Sequence, residues 1–317
     1  MAAIDPVTAI EEQLIAIEHQ SGGAASLMQQ IVRKVVIALD DSTRIEGFKA
    51  QDEALGFEVF SAYDGRVRDG SEYFDADRAK EHWGHSLSRA QIGCAVSHRL
   101  VIEAFADEEG EDEDLLLVAE DDARFVDHFS QIVSRILEAV GSIDLLLLAE
   151  GWNDVDAGLT LSLRKNPSLL LPSLSLLAAP VGANRFSFSH RVGHAFGPVW
   201  GAGLYLISRK AAKKYMAQTD SFSRTHWIAD DYLYWAGRAG IDVKICRPGM
   251  AFWTGESSIT DPEVVAKLER AKPRGIMEKV SRRIALRTRL VRVRRSVAGT
   301  FREICLISSR DHSRGKQ

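Results

Sequence analysis

Three adjacent acidic side chains, Glu120, Asp121 and Asp122, directly follow an apolar run at residues 115–119. Such a run predicts a buried strand, and ligands of open α/β sheets bind beyond the carboxyl ends of strands. Adjacent carboxylates repel one another, and a cation beside them relieves that repulsion. Mg²⁺ and Mn²⁺ prefer oxygen ligands, and Mg²⁺ is usually held by one or two carboxylates together with substrate phosphates. The cluster therefore indicates a metal site for a phosphate-bearing substrate, with capping of the following turn as the structural alternative.

Other polar side chains are placed where they could complete such a site. One acid pair, Asp40 and Asp41, follows the first predicted strand, and another, Asp230 and Asp231, precedes a late predicted helix. Ser97 and His98 form a pair on a predicted helix, and Glu150 ends a further strand. Each also has a structural alternative. Acids before a helix stabilise its N-terminus, a helical histidine is commonly a core or surface residue, and a strand-end acid is commonly solvated.

Strand and helix patterns alternate along the body of the chain, which indicates an α/β domain. The segments "IVRKVVIALDD" and "GFEVFSAYDG" predict two strands that are buried on both faces. A capping box formed by Ser88 and Gln91 begins a helix that carries "GCAVSH". A later strand, "GLYLIS", leads into a helix capped by Ser208, and "DYLYWAGRAGIDVKICRP" predicts a helix, a glycine turn and a strand.

Two similar segments, "DLLLVAEDD" and "DLLLLAEGW", flank a predicted helix that ends at Gly141. Strand, helix and strand within so short a span form a βαβ unit, so we expect the two strands to be parallel neighbours. This unit predicts a mainly parallel central sheet with the acidic residues at the carboxyl end of one strand.

The composition is that of a globular protein, with 45% hydrophobic and 26% charged residues. Its three cysteines form no paired framework, which favours a reducing, cytoplasmic compartment. The N-terminal residues lack the pattern of a secretory signal, and no apolar stretch is long enough to span a membrane. The expected organisation is an N-terminal helix and linker at 1–30, an α/β domain at 31–265 and a tail at 266–317.

The net charge of −4 conceals an acidic body and a basic tail, since residues 272–317 contain fourteen lysines and arginines against three acids. A basic amphipathic helix in this tail can lie on an anionic membrane, peripherally on the inner face of the plasma membrane. Alternatively, its apolar row packs on the acidic body or on another subunit of a homo-oligomer. The tail lacks the interleaved aromatics of a stacking surface, which argues against a nucleic-acid partner. The apolar row, with the three- and four-residue steps of one helix face, is Leu286, Leu290, Val293, Val297, Phe301 and Ile304.

Three motifs in order, "GCAVSH", "EDDARF" and "GAGLYLISRKAAKK", followed by "ADDYLYW", resemble glycosyltransferase family 25. This family includes bacterial lipooligosaccharide galactosyltransferases and animal collagen galactosyltransferases. The resemblance covers about residues 32–260 and implies a GT-A-like, Rossmann-type domain that binds a nucleotide sugar. The opening "VVIALDDSTR" is similar to the family's first strand and following arginine, here Arg44, although Ala38 stands where the family usually has Asn.

The resemblance implies metal-dependent, inverting transfer of a sugar from a UDP-sugar to a saccharide or lipid-linked saccharide acceptor. By family analogy the sugar is galactose, the metal is Mn²⁺ or Mg²⁺, and the product belongs to lipopolysaccharide, lipooligosaccharide or another cell-surface polysaccharide. The implied roles are a metal site at Asp122 with Asp121, donor binding by Arg44, Ser97, His98, Glu120 and Asp121, and a base at Asp230 with Asp231 and Glu150 as rivals.

Two other functions remain open at this point. A metal-dependent phosphohydrolase would use Asp40 as its nucleophile, but "DDST" is one residue short of the spacing that such enzymes need. A membrane-docking module could instead bind a sugar nucleotide without catalysis, which the intact acid motif argues against.

Overall fold

The computed structural model describes residues 29–149, 173–181, 190–196, 199, 201–253, 290 and 293–304. The predicted N-terminal helix, Glu150, Leu286 and most of the predicted tail lie outside these residues. In the described part of the chain, no helix has the length and apolarity needed to cross a bilayer.

The described strands form one large sheet and one small sheet. The large sheet has the order β2-β1-β3-β9-β5-β10-β8-β6, with β7 also paired to β8, and the small sheet pairs β4 with β11. The strands are β1 (Ile31–Ala38), β2 (Glu58–Ser61), β3 (Leu115–Glu120), β4 (Ala123–Phe125), β5 (Leu145–Leu147), β6 (Ser173–Leu174), β7 (Ala179–Val181), β8 (His190–Phe196), β9 (Leu204–Ser208), β10 (Val243–Arg247) and β11 (Ala251–Trp253).

The helices begin and end largely as the sequence predicts. Ser88 and Gln91 form the expected capping box, the side chain of Ser208 accepts a hydrogen bond from the amide of Ala211, and Gly141 follows the last residue of its helix. The helices are α1 (Ile45–Lys49), α2 (Ala76–Trp83), α3 (Arg89–Asp107), α4 (Phe129–Val140), α5 (Arg209–Asp220), α6 (Tyr232–Ala239) and α7 (293–304).

The α/β class is confirmed, but the sheet is mixed rather than mainly parallel. Strand β1 pairs in parallel with β2 and β3, and β5 pairs in parallel with β10. Strand β9 lies between β3 and β5 and is antiparallel to both, so the prediction that those two strands are neighbours was wrong. The crossover through α4 returns the chain in the parallel direction but one position further along the sheet. Strand β9 occupies the position between β3 and β5. All five of its residues are buried there.

Both faces of the central strands are buried, as their continuous apolar runs predict. On one face, residues such as Val118 and Ile207 pack with α3, α5 and α6, and on the other, residues such as Leu117 pack with α1 and α4. Burying one leucine of this kind contributes about 2 kcal/mol. The predicted burial of the second strand was wrong, because β2 is the edge strand and exposes most of its residues. The buried centre of the sheet therefore carries β3, whose end bears the acid motif.

Candidate active site

The acid motif occupies the end of β3 and the tight turn into β4. Glu120 is the last residue of β3, and Asp121 and Asp122 form the turn. Their exposed fractions are only 2% for Asp121 and 8% for Asp122. A turn that needed acids only for capping or solubility would leave them in water, because buried carboxylates cost free energy unless they are paired.

Asp121 is held by two groups that follow β1. Its carboxylate accepts a hydrogen bond from the hydroxyl of Ser42, and one carboxylate oxygen lies 2.6 Å from a guanidinium nitrogen of Arg44. Both oxygens of Asp121 are therefore engaged by the protein. Its predicted roles in metal and donor binding stay predictions, and the structure adds a positioning contact to Arg44.

Asp122 is the acid that the fold leaves incompletely paired. Its Oδ2 lies 3.7 Å from a nitrogen of Arg44, and among the described residues its buried Oδ1 has no hydrogen-bond partner. Burial, followed by the negative charge of Glu120, raises the pKa of Asp122 to about 7. A buried carboxylate oxygen without a donor, beside further carboxylates, suits a hard divalent cation. These residues therefore fit the predicted Mn²⁺ or Mg²⁺.

Glu120 contacts two residues on one face of α3. His98 Nε2 lies 3.2 Å from Glu120 Oε1, His98 Nδ1 lies 3.0 Å from the hydroxyl of Tyr205, and Cys94 Sγ lies 3.7 Å from the same glutamate oxygen. Burial raises the pKa of Glu120, but the hydrogen bond and charge of His98 outweigh it and lower that pKa overall. Cys94 and His98 are four residues apart, so one helix face presents both to the end of β3.

Ser97 lies on the same helix, but its hydrogen bonds are made within the fold. Its hydroxyl accepts a hydrogen bond from the amide of Tyr63 at 2.8 Å and donates one to the carbonyl of Gly93 at 2.7 Å. A Cβ atom on Gly93 would lie 2.8 Å from the carbonyl oxygen of Tyr63, so this close approach requires glycine. Donor binding by Ser97 stays a prediction, and its observed contacts fix the loop after β2 against α3.

The two late acids, Asp230 and Asp231, face different surroundings. Asp230 accepts a hydrogen bond from the amide of Gly201 at 2.9 Å, and burial together with the charge of Glu120 raises its pKa. Asp231 lies 3.0 Å from Nε2 of His82, and burial raises its pKa although His82 acts in the opposite direction. Asp230 is thus electrostatically coupled to the acid motif, whereas Asp231 is paired with α2.

The first acid pair after β1 lies at a more open part of this edge. Asp40 accepts a hydrogen bond from the hydroxyl of Ser61 at 2.7 Å, and Asp41 pairs with Arg66 at 2.8 Å. Arg66 also binds Asp64 at 2.7 Å. These acids are exposed and already paired, unlike the buried Asp122.

Comparison with known proteins places this geometry in a family. The model of glycosyltransferase family 25, described as an LPS biosynthesis protein, matches residues 31–234, well over half of the chain. The chain belongs to glycosyltransferase family 25. The resemblance predicted from the motifs is thereby confirmed, and the match spans every described acid discussed above. No curated protein matches the chain significantly.

Membership of glycosyltransferase family 25 supports glycosyl transfer as the activity and lipopolysaccharide biosynthesis as its setting. It implies a sugar donor and a saccharide acceptor as substrates. Within this family match, the described edge of the sheet brings together Arg44, His98, Glu120, Asp121, Asp122 and Asp230.

Several contacting residues were missed by sequence reasoning. Ser42 and Cys94 carried a usable signal, since Ser42 follows the predicted first strand and Cys94 lies one helical turn before His98. Tyr205, Gly201 and His82 carried none, because each is brought to its acid by tertiary pairing.

Proposed function

We propose that the protein transfers a sugar, galactose in the first instance, from a UDP-sugar to a hydroxyl of a saccharide acceptor with inversion at the anomeric carbon. The observation that carries this proposal is the buried Oδ1 of Asp122, which has no hydrogen-bond partner within the described ranges. This oxygen lies beside an arginine and further carboxylates at the end of β3. A GT-A-like site uses such an acid to bind the diphosphate of a sugar nucleotide through a metal.

Asp122 would hold the divalent cation, with Glu120 and Asp121 as the neighbouring carboxylates. When bound, Mn²⁺ or Mg²⁺ supplies Lewis-acid stabilisation of charge on the leaving UDP. Arg44 provides a second positive group at the same place. One nitrogen of its guanidinium lies 2.6 Å from a carboxylate oxygen of Asp121, and this contact fixes the direction of the arginine side chain. A guanidinium binds phosphate oxygens through paired hydrogen bonds, so Arg44 is suited to orient the diphosphate.

Asp230 is the proposed base. Its raised pKa suits a carboxylate that must take a proton from the acceptor hydroxyl near neutral pH. The amide of Gly201 holds one of its oxygens, which fixes the direction of the carboxylate. Inversion requires the acceptor oxygen to attack the anomeric carbon from the face opposite UDP. The attacking water of inverting glycosidases approaches the sugar in the same way. The proton passes to Asp230 as the new glycosidic bond forms.

His98 links the acid motif to the buried core of the protein. Its two ring nitrogens contact Tyr205 and Glu120, so it orients Glu120 at the end of β3. We propose that His98 acts on the donor through this orientation, or through a direct contact with the diphosphate.

The acceptor that we propose is a lipid-linked saccharide, in keeping with the LPS biosynthesis description of the family. Such an acceptor is presented at a membrane, and the basic tail is suited to the anionic cytoplasmic leaflet. The inner face of the plasma membrane is thus the proposed place of action.

The reaction is tested by measuring UDP release from UDP-galactose and other UDP-sugars, with a saccharide acceptor and with Mn²⁺, Mg²⁺ or a chelator. We expect acceptor-dependent and metal-dependent release, and a product of inverted anomeric configuration by NMR. Phosphate release from a phosphomonoester would favour the phosphohydrolase instead. Tight binding of a UDP-sugar without turnover, across a panel of lipid-linked and free acceptors, would favour the non-catalytic binding module.

A further inference from the structure

The far edge of the large sheet carries α7, which is docked through its polar residues. Ser296 Oγ donates a hydrogen bond to the carbonyl of Leu174 at 2.6 Å, and Thr300 Oγ1 accepts one from the amide of Leu176 at 3.0 Å. A Cβ atom on Gly299 would lie 2.4 Å from the ring of Phe196, so glycine is needed for the helix to approach β8 this closely.

A charged group completes this contact. His194 on β8 lies between two carboxylates, with Nδ1 2.5 Å from Glu303 on α7 and Nε2 2.6 Å from Asp242. Glu303 also accepts a hydrogen bond from the hydroxyl of Ser175 at 2.6 Å. We call these three residues, Glu303, His194 and Asp242, the histidine clamp. The clamp fixes the rotation of α7 about its own axis.

This rotation leaves the apolar row of the helix in solvent. The exposed fractions of the five described members of the row lie between 48% and 68%. An amphipathic helix of a globular domain normally turns its apolar face to the core, whereas α7 turns it outward. The exposed members are Leu290, Val293, Val297, Phe301 and Ile304.

The charges around the apolar row indicate which kind of surface it fits. Arg294 and Arg302 are exposed on α7, whereas Glu303, the acid of residues 293–304, is directed to His194. The tail as a whole is strongly basic, with fourteen lysines and arginines against three acids over residues 272–317, α7 included. An apolar row flanked by arginines is the pattern of helices that lie in the interface of an anionic membrane.

We propose that the outward face of α7 docks on an anionic lipid surface while the histidine clamp holds the catalytic domain against the other face. The row enters the interface, the arginines contact lipid phosphates, and the clamp keeps the domain in one orientation above the surface. This inference rests on the proposed membrane acceptor, but it does not depend on the donor, the metal or the reaction.

The test is co-sedimentation of the full chain with phosphatidylcholine vesicles, prepared with and without phosphatidylglycerol. We expect binding that requires phosphatidylglycerol and weakens with salt. The double variant Val297→Asn/Phe301→Asn should lose about tenfold or more in affinity, because it removes two apolar side chains from the interface. The matched control is Leu55→Asn/Val67→Asn, which changes two apolar residues on the body that are even more exposed than those of the row, and it should bind like the wild type.

Two further measurements separate the other outcomes. Arg294→Glu/Arg302→Glu should remove the preference for phosphatidylglycerol. Thermal unfolding of the α7 row variant should match the wild type, since the altered side chains are exposed, so a loss of binding would not reflect misfolding. Equal vesicle binding by the row variant and the wild type would overturn the proposal. The proposal would also be overturned if the wild type bound no vesicles and formed a dimer in analytical ultracentrifugation, and if the row variant did not form that dimer. Binding without transferase activity would leave this inference standing and remove the proposed function.

Discussion

Two clusters of charged side chains lie at different places on the same sheet, and they differ in how their charges are balanced. At the end of β3, Asp121 and Asp122 share Arg44, and both Asp122 and Asp230 have raised pKa values. At the far edge, the histidine clamp sets one imidazole between two carboxylates. There the pKa of His194 is raised to about 9, first by its hydrogen bond to Asp242.

The difference distinguishes the proposed functional site from a structural contact. In the clamp, the two carboxylates favour the charged form of His194, and His194 favours the charged form of Asp242, so the contact stabilises the folded protein. In the acid cluster, burial and the charge of Glu120 disfavour the charged forms of Asp122 and Asp230, so these two carboxylates make the folded protein less stable. Such destabilised clusters are typical of sites that bind a cation or a substrate. Substitutions in the two clusters should therefore have opposite effects on stability and activity.

The largest effect is expected from Asp122→Asn. Loss of this carboxylate should reduce turnover about a thousandfold, because it removes the principal proposed ligand of the metal. Without metal, the thermal unfolding temperature should stay the same or rise, since the variant removes a like charge beside Glu120. Steady-state kinetics and thermal unfolding in the presence of a chelator measure the two effects.

If Asp122→Asn lowered the unfolding temperature and kept normal turnover, the acid cluster would be a structural contact like the histidine clamp. It would make Asp122 a structural acid paired to Arg44 and not a metal ligand. The isosteric control is Asp112→Asn, which changes an exposed carboxylate paired with Lys213 and should alter neither quantity.

Asp230→Asn should reduce kcat about a hundredfold while the dissociation constant for UDP changes little. The physical reason is that an amide cannot accept the proton of the acceptor hydroxyl, whereas Asp230 makes no proposed contact with the donor. Single-turnover kinetics and calorimetric titration with UDP and Mn²⁺ separate the two quantities.

Asp231→Asn is the matched neighbour for this experiment, because Asp231 is paired with His82 and is not coupled to the acid motif. We expect it to keep most of the activity. If Asp231→Asn loses turnover and Asp230→Asn keeps it, the base is Asp231 and the pair with His82 orients it.

In the clamp, His194→Gln should destabilise the protein by about 1–2 kcal/mol, since it removes two hydrogen bonds between charged groups that are partly exposed to solvent. Activity toward a soluble acceptor should stay at the wild-type value, because the clamp lies apart from the acid motif. Denaturant unfolding and UDP release provide the two measurements. Unchanged stability would show that the clamp contributes nothing to the fold.

The smallest expected effect is the pH dependence of the clamp. His194 has a folded pKa of about 9 against an ordinary value of 6.5, so its stabilisation is fully present below about pH 6.5 and is lost as pH rises through 9. Burial raises the pKa of Asp242, but His194 and the nearby Lys244 lower it overall, so this contribution is lost only at acidic pH. The stability difference between wild type and His194→Gln should therefore be largest in mildly acidic solution, below about pH 6.5 and above the range in which Asp242 becomes protonated.

Hydrogen exchange of the α7 amides follows this dependence directly. Exchange, corrected for its intrinsic rate, should accelerate above about pH 9 in the wild type and show no such step in His194→Gln. A step that survives the substitution would assign the pH dependence to a different group.

The amino-acid sequence by itself determined the local structure and the composition of the site. Capping residues and apolar periodicity placed α3, α4 and α5, and the acids after an apolar run placed the motif at the end of a buried strand. These features follow from contacts between residues close in the chain, so they are readable without the fold. The same short-range patterns identified the family.

Tertiary structure alone decided which groups meet across the sheet. The antiparallel β9 separates β3 from β5, because strand order depends on pairing between segments far apart in the chain. That order brings Tyr205 to His98, just as the loops bring Arg44 to Asp121 and leave Asp122 incompletely paired. The periodicity of α7 showed that it has an apolar face, but hydrogen bonds to β8 and its neighbours decided that this face points outward.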